Sequence, residues 1–183
     1  MAQKATKGKF EAPKPVKVFV GLLITQLFIL PQVYKLLEEK LGAIDLKSQL
    51  MDFNFTRYYE AEMGLELKRQ FLSFHNLMSP DELVEIKLFT RELEQSLAKE
   101  GKRLVNLDPG YLTPAKIVLA STKDFSHRLY LGQGIYGEVT LLFRHKRFEP
   151  LPWTYPDYHT EAYQRFFYEL RAQYMAQLKG ESI

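Results

Sequence analysis

The sequence predicts an α+β domain: a mixed, largely antiparallel sheet with about three helices packed on it. Two strand-then-helix pairs fill the first half of the chain. After Gly101 the pattern changes to strands separated by turn residues, and one amphipathic helix closes the chain. With 183 residues, 46% hydrophobic and 14% aromatic, the chain has the length of a single domain and enough apolar side chains for a sizeable core. Residues 15–178 are assigned to that domain, between a lysine-rich tail over 1–14 that composition predicts to be disordered and a flexible end over 179–183.

Val16–Ile24, "VKVFVGLLI", is β-branched and almost continuously apolar, the pattern of a central strand covered on both faces. The segment 30–41 has Pro31 in its first turn, Val33, Leu37 and Leu41 on one stripe and Gly42 as a stop, which predicts a helix of about three turns. "IDLKSQLMDFNF" reads as a second strand. "TRYYEAEMG" reads as a helical turn or loop, and "LELKRQFLSF" as a further strand. Ser79, Pro80, Asp81 and Glu82 form a capping box at the start of the next helix. Its apolar stripe is Leu83, Ile86, Phe89 or Thr90, Leu93 and Leu97, and its other face, with Lys87, Arg91 and Glu94, reads as solvated surface.

Beyond Gly101, "RLVNLD" is a short strand, and Asp108-Pro109-Gly110-Tyr111 is a turn signal because proline fixes φ and glycine supplies positive φ. "AKIVLAST" is a strand, and "HRLYL" and "IYGEVTLLFR" form a hairpin through Gly132-Gln133-Gly134. On the last strand, alternation places Ile135, Val139, Leu141 and Phe143 on one face and Tyr136, Glu138, Thr140 and Arg144 on the other. Thr160 caps the final helix, whose Tyr163, Phe166, Phe167, Leu170, Tyr174 and Leu178 form a core-packing stripe.

Twenty-five basic residues against 22 acidic give a net charge of +3, and Lys4, Lys7, Lys9, Lys14 and Lys17 all fall near the start. The folded part is thus nearly neutral, which argues against an obligate nucleic-acid surface. The absence of cysteine excludes disulfides, thiolate catalysis and thiolate zinc sites. The longest apolar run, 18–30, is broken by Thr25 and Gln26 and is short for a bilayer span. A cytoplasmic protein with no membrane partner is the expectation.

No motif specifies a metal or a cofactor, and the histidines are scattered. Gly132-Gln133-Gly134-Ile135-Tyr136-Gly137 matches G-x-G-x-x-G, but it joins two strands rather than opening a helix, and roughly 50 residues beyond it are too few for a kinase catalytic lobe. It reads as a tight hairpin. The candidate site lies beside it. Asp108 or Asp124 would act as base or metal ligand, His127 as proton shuttle, and Lys116, Lys123 and Arg128 as phosphate or carboxylate binders. Glu138 would pair with Arg128, as a cross-strand contact or as the wall of a cleft. Asn106, Tyr111, Tyr130 and Tyr136 border the same region. Tyr58, Tyr59 and Glu62 supply a second group, and Tyr155 and Tyr158, with Trp153, supply rings able to stack a base or seal a core.

The segments "VNLDPGYLTPAKIVLASTKDFSHRLYLGQGIYGEVTLLFR" and "WTYPDY", with "VKVFVGLL", "FNFTRYYEAEMG" and "IKLFTRELEQ", resemble the bacterial domain-of-unknown-function family DUF 4416 over nearly everything from Val16 to Tyr174. The resemblance brings no assigned activity. Some similar proteins carry a GTP-binding label, yet the usual GTPase motifs are absent here. The functional expectation is a small phosphorylated or nucleotide-like ligand, with phosphate-directed hydrolysis or transfer as the reaction class. The alternative is a non-catalytic RNA- or protein-interaction module built on the basic tail and the aromatic loop, and nothing in the sequence sets the oligomeric state.

Overall fold

The structure is a computed structural model that describes residues 12–180. Residues 1–11 of the expected tail and 181–183 of the expected C-terminal end lie outside the described residues.

β1 (Val16–Ile24) is buried at every position, as its apolar run requires. It runs antiparallel between β4 (Lys68–Met78) and β5 (Val105–Leu112). Around this centre lie β2 (Ile44–Lys47), β3 (Met51–Asp52), β6 (Lys116–Ser121), β7 (Leu129–Gly132), β8 (Ile135–Arg144) and β9 (Arg147–Pro150). They form one nine-stranded sheet in the order β2-β4-β1-β5-β6-β8-β7, with β3 also on β4 and β9 on β8. Every strand pairing among the described residues is antiparallel.

Helices cover both faces of the sheet. Val18, Val20, Leu22 and Ile24 of β1 pack with α1 (Leu30–Leu41) on one face. The short α2 (Glu60–Met63) packs through Met63 with Leu23, Phe53 and Leu67 in a satellite cluster. Ile86 and Leu93 of α3 (Leu83–Ser96) share the first face with α1. α4 (Glu161–Lys179) covers the opposite face, where Phe19, Phe71, Phe148 and Tyr158 meet its Tyr163, Phe166, Phe167 and Leu170. Both expected caps form. The Ser79 amide donates to Glu82 Oε1 at 2.7 Å, and the Tyr163 amide donates to Thr160 Oγ1 at 3.4 Å. Among the described residues, no helix is long and apolar enough to cross a membrane.

Several sequence expectations are corrected. The segment read as one second strand is two short ones, β2 and β3, which pair with different stretches of β4. The fourth strand begins at Lys68 rather than Leu65 and runs on to Met78. The single apolar face expected along β8 is split: the β6–β8 register slips so that Ile117 faces Leu141 but Val118 faces Val139. The extra residue at Thr140 shifts the phase. Ile135 and Val139 therefore join the cluster under Leu83 and Val84, while Leu141 and Phe143 join the α4 side.

The largest correction concerns Asp108-Pro109-Gly110, which is no turn but the middle of β5. Asp108, Pro109 and Gly110 pair in register with Gly21, Val20 and Phe19. Gly110 is there for space: a Cβ at this position would sit 2.5 Å from the Val118 carbonyl oxygen and 2.7 Å from Phe19 Cζ. Pro109 has a different effect. The Thr113 amide donates to the Lys116 carbonyl at the β5–β6 hairpin, so alternation turns Tyr111 and then Pro109 toward β6. Proline has no N–H to give Ala120, and the β5–β6 ladder ends at Gly110 opposite Leu119. The β1–β5 ladder continues to Val105 and the β6–β8 ladder to Ser121, so β5 and β6 part here as a fork. Gly110→Ala is expected to cost about 1–3 kcal/mol, because the contacting atoms include backbone that cannot rotate away. Urea unfolding of the variant beside the wild type measures it, and an unchanged midpoint would contradict the packing argument.

Candidate functional site

The fork opens into a cleft of about 360 Å³. Its walls come from the loop after β3 (Phe53, Phe55, Tyr58, Tyr59), Arg69 of β4, and Lys87, Arg91 and Glu94 of α3. Arg103, Asn106 and Asp108 from β5 and its approach, residues 119–123, Glu138 of β8, and the segment 155–158 complete it.

Helix α3 supplies what the absent strand partner would have given. Leu107 has its backbone turned into the gap. Its N–H donates to Glu94 Oε1 at 2.5 Å, and its carbonyl accepts from Lys87 Nζ at 2.9 Å. Both side chains are buried, although their face of α3 reads as solvated surface in the sequence. Burial pushes the Glu94 carboxyl above its ordinary value, while Lys87, the Leu107 N–H and Arg103 pull it down.

From this point a chain of charges crosses the cleft. Arg103 is bidentate on Glu62 at 2.7 Å and 2.7 Å, and Nη1 donates to Asn106 at 2.8 Å and Glu94 at 3.3 Å. That pairing holds the Glu62 carboxyl below its ordinary value. Asn106 donates to Asp108 at 2.8 Å. Asp108, with 27% of its side chain exposed, lies 3.6 Å from both Lys87 and Arg69.

Arg69 forms the floor and is only 4% exposed. Its guanidinium passes over Gly21, where a Cβ would come within 3.0 Å of Nη1, and lies over the rings of Phe53 and Phe71. Nε donates to Tyr163 at 3.1 Å, and Nη2 lies 3.6 Å from Asp157. Nη1 has no hydrogen-bond partner. Burial works against the Arg69 charge, but Tyr163, Asp108, Tyr158 and Asp157 together hold its pKa above the ordinary value. Burial also raises Asp157, with Arg69 opposing. Burial raises Tyr59, Tyr155 and Tyr158, with Asp108 adding to it at Tyr59, Glu138 adding to it at Tyr155 and Arg69 opposing it at Tyr158, so they line the cleft as neutral hydroxyls at neutral pH.

Of the residues singled out in the sequence, Tyr58, Tyr59, Asn106, Asp108, Lys123, Glu138, Tyr155 and Tyr158 line the cleft. Glu62 stands behind Arg103. Arg128 is buried behind the wall: Nε donates to Glu138 at 2.6 Å, Nη1 to Ser121 at 2.7 Å and Nη2 to the Tyr155 hydroxyl at 2.8 Å. His127 lies 3.3 Å from Glu138 with its ring stacked on Trp153, whose indole N–H donates to the Val139 carbonyl. Asp124 is exposed and Lys116 half-buried, and neither lines the cleft. Tyr111 packs against the core, and Tyr130 and Tyr136 pack on each other at 5.3 Å, again outside the cleft. The Gly132–Gly134 hairpin is a tight turn with positive φ at Gln133 and Gly134, also outside the cleft.

Arg69, Lys87, Arg91, Glu94, Arg103 and Asp157 escaped the sequence reading. The spacing of Lys87, Arg91 and Glu94, at i, i+4 and i+7, was the available signal: it places three charges on one helical face. Among the described residues no group of three or more histidines and carboxylates is arranged to hold a metal ion.

Because the folded pKa of Glu94 is raised, the folded chain holds more protons there than the unfolded chain between the ordinary value of 4.5 and the raised one. Its contribution to stability therefore falls as pH rises through that window. Unfolding free energies of wild type and Glu94→Gln, measured in urea from about pH 4 to pH 8, are expected to shift against the wild type as pH rises. A pH-independent difference would contradict the assignment.

No curated protein and no solved structure matches the chain. The family model described as "Domain of unknown function (DUF4416)" matches residues 14–174, and the chain belongs to that family.

Proposed function

We propose that the cleft binds a small phosphorylated, nucleotide-like molecule. One observation carries the reading: the carboxylates lining the cleft are all engaged, while three of its cations keep N–H groups that make no hydrogen bond among the described residues. Asp108, Glu94, Glu138 and Asp157 each face a cation or an N–H donor. Arg69 Nη1, buried at the floor, forms no hydrogen bond among the described residues and lies 3.6 Å from Asp108. At the mouth, among the described residues, Arg91 on α3 forms no ion pair and the Lys123 ammonium meets only the Tyr58 ring, at 4.4 Å. A buried guanidinium with an unsatisfied N–H is costly, and an anionic oxygen removes that cost.

The rings of Phe55 and Tyr58 are exposed on the same wall and offer a stacking face for a base. The volume suits a ligand of this size. For a phosphate-directed transfer or hydrolysis, Asp108 is the carboxylate within the cleft to accept a proton from the attacking hydroxyl, with Lys87 and Arg69 beside it.

Calorimetry and thermal unfolding of the full chain with AMP, GMP, ribose 5-phosphate and pyrophosphate test the reading. At least one phosphate compound is expected to bind and stabilise the fold. Arg91→Ala and Lys123→Ala, at exposed positions, are each expected to weaken binding about tenfold while leaving the melting temperature of the free chain unchanged. The reading is overturned if none of the four compounds binds, or if both variants bind as the wild type does.

A further inference from the structure

The β5–β6 fork takes the ladder donor away from one strand carbonyl. Ala120 turns its backbone toward β5, in the phase fixed by the Thr113 to Lys116 hydrogen bond, and its ladder partner would be Pro109. Every other residue in that position would donate an N–H; proline cannot. Two residues further along β5, the equivalent gap at Leu107 is filled by Glu94 and Lys87. At Ala120 no side chain among the described residues does the same, and Ala120 lines the cleft while being nearly buried. A buried carbonyl without a donor loses about a full hydrogen bond's worth of stabilisation, so the position favours a donor from elsewhere.

We propose that this position reads the base of the ligand: an N–H donor on a nucleobase takes the place of the missing proline N–H and donates to the Ala120 carbonyl, while the cations of the cleft hold the phosphate. The inference rests on the phosphorylated-ligand reading above and narrows it. A sugar phosphate or pyrophosphate has no N–H to give. The ligand class is therefore a nucleoside phosphate whose base carries an amino or ring N–H. Pro109 is the specificity determinant, because it keeps the acceptor open.

The test uses the full chain with three probes: AMP, purine riboside 5′-monophosphate and pyrophosphate. Purine riboside 5′-monophosphate differs from AMP only in lacking the amino group, and its base carries no N–H. The wild type is expected to bind AMP about fivefold to tenfold more tightly than purine riboside 5′-monophosphate, the effect of one hydrogen bond. Pro109→Ala supplies the missing N–H to Ala120. It is expected to fold, to be at least as stable as the wild type, and to bind AMP and purine riboside 5′-monophosphate equally. If that variant does not fold, the comparison of AMP with purine riboside 5′-monophosphate on the wild type decides alone. Equal wild-type affinity for those two, or binding of pyrophosphate without either nucleotide, overturns this inference and leaves the phosphate reading standing. Failure of all three probes to bind, together with GMP and ribose 5-phosphate, overturns both.

Discussion

A single absent N–H shapes the half of this structure that holds the cleft. Pro109 stands where β5 and β6 would exchange hydrogen bonds, and the ladder stops at Gly110 opposite Leu119. Strands that cannot remain paired must satisfy their backbone groups by other means, since unpaired buried amides and carbonyls are costly. Here α3 does so, lending Lys87 and Glu94 to the two polar atoms of Leu107. The opening, its charged lining and the burial of two ionisable helix residues follow from that exchange.

Once Glu94 and Lys87 are drawn inward, their charges need partners, and the network grows outward from them. Arg103 joins Glu94 to Glu62 and Asn106, while Asp108 sits between Lys87 and Arg69. Removing one member of such a buried set leaves the others uncompensated, which is more damaging than the set is stabilising. Arg69 occupies the far end, over the space that Gly21 leaves open. Its Nη1 makes no hydrogen bond among the described residues and has Asp108 at 3.6 Å.

The wall beyond the cleft is organised differently. Arg128 ties Glu138, Ser121 and the Tyr155 hydroxyl into one buried knot, and His127 and Trp153 stack over it. These residues fix the position of the 155–158 segment rather than offering themselves to a ligand. The aromatic loop thus spends much of its ring surface on packing, with Tyr158 packed into the α4-side core behind the cleft wall it helps to form. Among the described residues, the cleft cations without a carboxylate partner are Arg91 and Lys123.

The sequence by itself determined the elements whose signals are local. The run Val16–Ile24, the capping box at Ser79 and the aromatic stripe of the last helix each depend on periodicity or on neighbours a few residues away, and each formed as read. The Arg128–Glu138 pair was also legible, from hairpin alternation alone. What only the tertiary structure decided depends on partners distant in sequence. Asp108-Pro109-Gly110 carries every local mark of a turn, yet β1 pairs along it and holds it extended. Lys87 and Glu94 look solvated on a helical wheel, because nothing in α3 announces that Leu107 will lack a strand neighbour. Arg69 sits in an ordinary alternating strand, and its burial depends on Gly21, Asp108 and Asp157 from three other parts of the chain. Local propensity sets which elements exist, whereas the cost of leaving a polar group unpaired, settled only when the strands meet, sets which charges turn inward and where the cleft opens.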